Sequence, residues 1–385
     1  MAKQAEKRPR SIFEEVGTSQ KSVATPGGID HGRADARRGL RIWLGILFVL
    51  VAAIVFVGGM TRLTDSGLSI TEWNPVSGAI PPLSAADWDV EFANYKASPQ
   101  YELMNQGMEM SEFKRIFWWE WGHRQLGRTI GLVWALGFLG FLVTKRIPAG
   151  FKTRFLGLGA LIGLQGAVGW WMVHSGLQDG MVTVASYRLA THLGLAFAIL
   201  GLITWYILRL KRREVDLLQA RRSAERKLWG GMTGLMHLGF LQIILGALVA
   251  GIDAGRAFPT WPLMGDSFLP PDPFQLEPIW RNFFEDAGLV QFIHRMSGYL
   301  LMILGVVVWL RGRRSPHPST RLAVNAVLAM LVVQMVLGIV TAIYAAPLHA
   351  AITHQLGAVL LWVLILRARF LTRYPYVQSL RKIRK

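Results

Sequence analysis

The chain has 385 residues, of which 52% are hydrophobic and 17% charged, with a formal net charge of +18 and no cysteine. The missing cysteines exclude disulfides, thiolate metal sites, Cys-ligated iron–sulfur clusters and covalent c-type haem attachment. Long charge-poor runs exclude an ordinary soluble domain and point to a polytopic membrane protein.

Residues 1–40 read as a polar, mixed-charge arm, flexible and cytoplasmic; its acids argue against a mitochondrial presequence. Eight apolar runs follow, near 41–60, 117–143, 155–173, 189–208, 229–251, 289–310, 322–345 and 351–369. Each is close to the length of a bilayer-spanning helix. The first is too long for a signal peptide and lacks a small-residue cleavage signature, which predicts a retained span. Residues 62–116 then form a long outer loop rich in Trp, Pro, Gly and acids, with helices only near 84–96 and 109–116. A basic segment, 209–228, joins span 4 to span 5. A second outer loop, 252–288, follows span 5, and a basic tail, 372–385, closes the chain.

The basic residues alternate between sides. With the N-terminus inside, 32 of the 42 Lys and Arg residues but only 8 of the 24 acids fall on the inner side, giving +24 inside and −6 outside. This is the positive-inside pattern, so the charge sets topology and calls for no nucleic-acid partner. Both termini are therefore expected in the cytoplasm and the spans in a bacterial inner membrane, with lipid as the surrounding partner.

The second half of the chain repeats the first. Span 1 leaves through VGGMTRLTDSGLSITEWNPVSGAIPP and span 5 through VAGIDAGRAFPTWPLMGDSFLPP, each with an acid, a Trp (Trp73, Trp261), a Pro (Pro75, Pro262) and a Pro-Pro pair. Spans 3 and 7 share a Gln followed by small residues, in LQGAVGWWMV and VQMVLGIVTAI. The predicted fold is an all-α integral membrane protein, its eight transmembrane helices arranged as two pseudo-symmetric four-helix bundles, 41–208 and 229–371. Gly- and Trp-rich lipid-facing segments permit a homo-oligomer without specifying one.

Each half carries two histidines in matched settings. GHRQLGR around His123 resembles IHRMSGYL around His294, and THLGLAF around His192 resembles THQLGAV around His354. All four fall on the first turns of even-numbered spans, which enter from the outer side, so each is expected roughly 5–10 Å into its helix. Imidazole inside a bilayer is costly without a partner. A lone histidine at this depth is ordinarily a headgroup-level polar residue. Two matched pairs instead predict one bis-histidine site per half, with helices 2 and 4 of a bundle facing each other across a planar macrocycle such as haem. Zinc would need three or four converging ligands, and the chain has no HExxH. His31 and His317 lie in inner polar segments, and His174 and His349 at outer ends. His237 lies inside span 5 with no repeat partner, where a satisfied core hydrogen bond is expected.

Arg124, Arg128 and Arg295 accompany the histidines and are candidates for haem propionates, since guanidinium pairs bidentately with carboxylate. Interfacial snorkelling is the competing reading. Arg188 and Arg256 are weaker candidates. Gly127, Gly298, Gly194 and Gly357 sit where a small residue admits a helix or a flat ring. The halves differ three residues before their first histidine: Glu120 in one, Gln291 in the other. Glu ionises and exchanges a proton, and Gln does not. The first half is thus predicted to carry chemistry, and the second electron transfer or a structural haem. The simpler alternative is a Glu120–Arg124 ion pair at i,i+4.

Taken together, EWGHRQLGR with its upstream aromatic run, RLATHLGLAF, QFIHRMSGYL and ITHQLGAVL resemble the heme A synthase family (Cox15/CtaA). The likeness covers all eight spans, roughly 35–375, and the lack of an outer-loop cysteine pair resembles the proteobacterial and mitochondrial branch. The resemblance implies oxidation of the heme O C8 methyl group to a formyl group, giving heme A for cytochrome c oxidase. It implies haem b as cofactor on His294 and His354, heme O as substrate facing or ligated by His123 and His192, and Glu120 as the catalytic glutamate. It also implies a heme O synthase as supplier, beside an electron partner that the sequence does not identify. Two other readings compete. A quinol-linked b-type cytochrome also explains two bis-histidine sites but has no need of Glu120 or of unlike halves. A transporter or assembly scaffold leaves the histidines unexplained.

Overall fold

The computed structural model describes residues 28–178 and 180–376. It contains eight helices long and apolar enough to cross a membrane. They are α1 (Gly28–Leu63), α2 (Met110–Val143), α3 (Lys152–Gly176), α4 (Ser186–Leu210), α5 (Arg226–Gly251), α6 (Ala287–Gly312), α7 (Pro318–Ile343) and α8 (Leu348–Arg373). Helices satisfy every mid-span backbone group internally, which an apolar medium demands. Among the described residues there is no strand, only an isolated bridge between Met264 and Ser267.

Four expectations change in detail. The arm expected over 1–40 is already helical from Gly28, because α1 begins on the inner side, well before its apolar run; residues 1–27, and 377–385 of the tail, lie outside the described residues. The segment 109–116 is no separate helix but the first turns of α2, capped by Glu109 and Glu112 in a reciprocal capping box. The run 322–345 overshoots α7, which ends at Ile343 before Ala345 and Ala346 turn through positive φ. His123 therefore lies about 20 Å along its helix, whereas His192, His294 and His354 keep the expected depth.

The order of neighbours is the same in both halves. In the first, α1 touches α2 and α4, and α3 touches α2 and α4; in the second, α5 touches α6 and α8, and α7 touches α6 and α8. The halves meet through α4 against α5 and α8, and α1 against α8. Leu44, Leu47, Phe155, Phe197, Leu200 and Ile203 are fully buried in the core of the first half, which reaches α8 through Trp362. Trp362 Nε1 donates to the Phe197 carbonyl at 3.0 Å, so its one polar group is satisfied where it crosses the seam.

The two outer loops start alike. Asp65 after α1 and Asp253 after α5 both turn through left-handed backbone, φ 50° and 54°, a conformation Asp tolerates better than most residues. Arg62 bridges them, with Nη1 2.9 Å from Asp65 and Nη2 2.6 Å from Asp253. In the first loop, a helix at Ala85–Lys96, near the expected 84–96, is capped by Ser84 and Asp87. Its Trp88, Phe92 and Tyr95 pack on Phe113 and Phe117 of α2, which fixes the loop over the outer end of that helix.

Candidate functional site

Odd-numbered helices supply glycines and even-numbered helices supply histidines. A methyl group added at Gly58 of α1 would lie 3.0 Å from His123 Nε2, and one at Gly169 of α3 2.8 Å from His192 Cε1. In the second half, the same addition at Gly246 of α5 would lie 3.1 Å from His294 Cε1, and at Gly338 of α7 3.1 Å from His354 Cε1. Each ring occupies space that a side chain would close. The glycines singled out from sequence do different work. Gly194 meets Ile244 of α5 and Gly357 meets Gln334 of α7, both helix contacts, while Gly127 and Gly298 face Ile54 and Gln242.

The histidines come together in pairs. The rings of His123 and His192 have centroids 6.3 Å apart with planes at 54°. A metal between two imidazoles, about 2 Å from each nitrogen, sets ring centroids roughly 6.4 Å apart, so this pair has the spacing of two axial ligands. His294 and His354 hold the matching positions in the second half, on α6 and α8. All four histidines are half-buried. His354 Nδ1 is buried without a hydrogen-bond partner. Among the described residues no three His, Asp or Glu side chains converge. The donor set fits two axial ligands on a planar macrocycle.

Glutamines hold three of the four histidines, and the sequence had marked two of them only as repeat signatures. Gln165 Nε2 donates to the His192 carbonyl at 3.0 Å and stands 3.2 Å from its Nδ1. Gln242 does the same to His294, at 3.0 and 3.2 Å, and accepts from Ser297. Gln334 Nε2 donates to the His354 carbonyl at 2.6 Å. His123 has no such partner: Ile54 stands where Gln242 stands in the other half. Gln242 escaped the sequence reading because its repeat counterpart is apolar.

Glu120 is 3% exposed and binds the first outer loop. Its Oε2 accepts from Ser69 Oγ at 2.8 Å and the Ile70 amide at 2.9 Å, and its Oε1 accepts from Arg124 Nη2 at 2.7 Å. Arg124 continues to the carbonyls of Ile70 and Glu72, at 2.7 and 2.8 Å. Arg128 donates to the carbonyls of Asn74 and Pro75. In the second half Arg295 donates to the carbonyls of Phe258 and Leu263. Gln291, as buried as Glu120, makes one long bond of 3.4 Å to Phe258 and leaves its Oε1 unpartnered. The arginines expected at propionates thus latch the outer loops over their helices.

The remaining expectations separate clearly. Arg188 donates to the Trp171 carbonyl and lies over its ring, and Arg256 pairs loosely with Asp253 at 3.8 Å. His174 is exposed and stacks on Trp170, and His349 is exposed. His237 corrects an expectation: it is exposed on a face of α5 with no helix against it, and its side chain makes no hydrogen bond among the described residues.

A family model described as "Cytochrome oxidase assembly protein", COX15-CtaA, matches residues 41–366. The chain is 63% identical to a heme A synthase of Ruegeria sp. (strain TM1040), across 97% of this chain and 99% of that one. It is also 63% identical to a heme A synthase of Ruegeria pomeroyi, with the same coverage, and 60% identical to one of Paracoccus denitrificans, across 97% and 98%.

Proposed function

The chain belongs to the COX15-CtaA family of cytochrome oxidase assembly proteins, and on that premise we propose that it is a heme A synthase, oxidising the C8 methyl group of heme O to a formyl group. Identity of 60% or more over nearly the whole length of proteins with that name supports an enzyme of this kind in a multi-pass membrane setting. The same relatives disfavour the quinol-linked b-type cytochrome.

Within that reading the two halves, 41–208 and 229–371, hold unlike haem sites. His123 and His192 would face the substrate, heme O; His294 and His354 would hold a resident haem b. The observation that carries the assignment is the buried Glu120, four residues from Arg124 and three from His123, set against an uncharged Gln291 in the other half. Haem b supplies one-electron chemistry when bound. The chain's own residues orient the rings through glutamine and glycine and close the outer loops over both sites. Glu120 offers a carboxylate that takes a proton or stabilises positive charge at the reacting methyl. Arg124, Arg128 and Arg295, which hold the outer loops, would share their remaining donors with a propionate.

The charge pattern supports an inner-membrane protein with cytoplasmic termini and both sites toward the periplasm. A heme O synthase then supplies substrate, and an electron partner takes up reducing equivalents. Separating hemes B, O and A extracted from membranes with and without the chain tests the reading. Heme O accumulating only without it is the expected result; an unchanged heme profile rejects the activity.

A further inference from the structure

At the end of the molecule opposite the histidines, a cleft of roughly 470 Å³ opens where α1, the end of α4, the linker helix Glu214–Arg222 and the segment after α8 meet. Arg41 in this cleft and Gly58 beside His123 lie about 25 Å apart along α1. The walls carry Arg37, Arg41, Lys211, Arg212 and Arg213 against one carboxylate, Asp216. Asp216 is engaged by Arg213, at 3.0 and 3.1 Å. Arg212 is held by the Tyr374 carbonyl at 2.6 Å and lies 4.8 Å from the Tyr376 ring.

Three cations remain without a counter-charge. Among the described residues the side chains of Arg37, Arg41 and Lys211 make no hydrogen bond or ion pair, and the Nε of Arg41 is buried without a partner. Arg37 and Arg41 stand at i,i+4 on one helix face, a spacing at which like charges repel. The positive-inside rule asks for cations at this end of the spans, but not for their convergence on one cleft with a desolvated guanidinium nitrogen. Leu210 and Ala220 add apolar wall between the polar groups.

We propose that this cleft binds the phosphate headgroup of an anionic phospholipid. Guanidinium forks match phosphate oxygens, and basic pockets between helices at this end of membrane proteins suit lipid headgroups. A free phosphate shares the chemistry, but the apolar wall and the position at the ends of the spans favour a lipid. The cleft's cations come from α1 and from the segment just after α4, and the Tyr374 and Tyr376 contacts come from beyond α8, so a bound headgroup also ties the two halves together at this end.

The test uses the full chain, delipidated in detergent. Native mass spectrometry with added phosphatidylglycerol should show a saturable adduct that phosphatidylcholine does not form. Arg37→Gln combined with Arg41→Gln should weaken that adduct at least tenfold, with the absorbance of bound haem unchanged. Equal adducts in both proteins overturn the proposal. Displacement of the lipid by an equal concentration of inorganic phosphate overturns the lipid assignment. As a second measurement, the wild-type unfolding temperature should rise saturably with phosphatidylglycerol and not with phosphatidylcholine; a flat response also overturns it.

Discussion

Arg124 Nη2 stands 2.7 Å from Glu120 Oε1, with the two side chains only 14% and 4% exposed. The ion pair is the simple alternative that the i,i+4 spacing allowed, and it is present. It is also more than a helix-surface pair, because both partners extend to the backbone of the first outer loop at Ile70. One cluster therefore closes the loop and puts a carboxylate one turn from His123. The second half keeps the arginine and the loop contact but has an amide, Gln291, in place of the carboxylate.

Glu120→Gln should preserve most of the loop contacts while removing the negative charge. Heme A formation, followed by chromatography of extracted hemes, should fall by at least 100-fold, within the range that a positioned acid or base contributes. The low-spin b-type spectrum should remain. Normal heme A yield would remove Glu120 from the chemistry.

Gly246→Val and Gly338→Val should displace His294 and His354, since even a methyl group there comes within 3.1 Å of each ring. Overpacking of this kind costs about 1–3 kcal/mol, and the resident haem spectrum should weaken or shift. Gly58→Val should leave that spectrum intact and impair only heme O conversion. The reverse pattern would exchange the roles of the two halves.

Gln242→Ile copies the apolar residue found at Ile54 and frees the His294 carbonyl and ring from the amide. Loss of such a supporting contact typically costs roughly 10–100-fold in metal affinity. Haem retention through purification should drop accordingly. Unchanged retention would mean that Gln242 is a packing residue only.

Burial pushes the Glu91 carboxyl above its usual range, with Glu72 adding to the effect and Arg124 opposing it. The folded state therefore binds this proton more tightly than the unfolded chain. Stability from this group is complete below the unfolded pKa and is lost as pH rises through the folded value. Glu91→Gln should raise the unfolding temperature at pH 8 and change it little at pH 4. A larger gain at pH 4 than at pH 8 would contradict the sign.

Much of this architecture is legible in one dimension. The eight spans follow from hydropathy, and the repeated pairs His123/His294 and His192/His354 follow from short matched motifs. What was not legible depends on contacts between helices. Gly58 and Gly246 face histidines only because α1 packs on α2 and α5 on α6. The outward extension of α2 through Met110–Ile116 was hidden because it is polar, and its packing on Trp88 and Phe92 is a loop contact. His237 reads as interior in an apolar run, yet only the packing order shows that its face of α5 is uncovered.

The division of labour between the two histidine pairs is tested most directly by spectra of purified His123→Ala and His294→Ala proteins, read beside their heme O and heme A content. His294→Ala should lose the low-spin b-type signal. His123→Ala should keep that signal and leave heme O unconverted. Loss of the b-type signal in His123→Ala, or its survival in His294→Ala, would contradict the account.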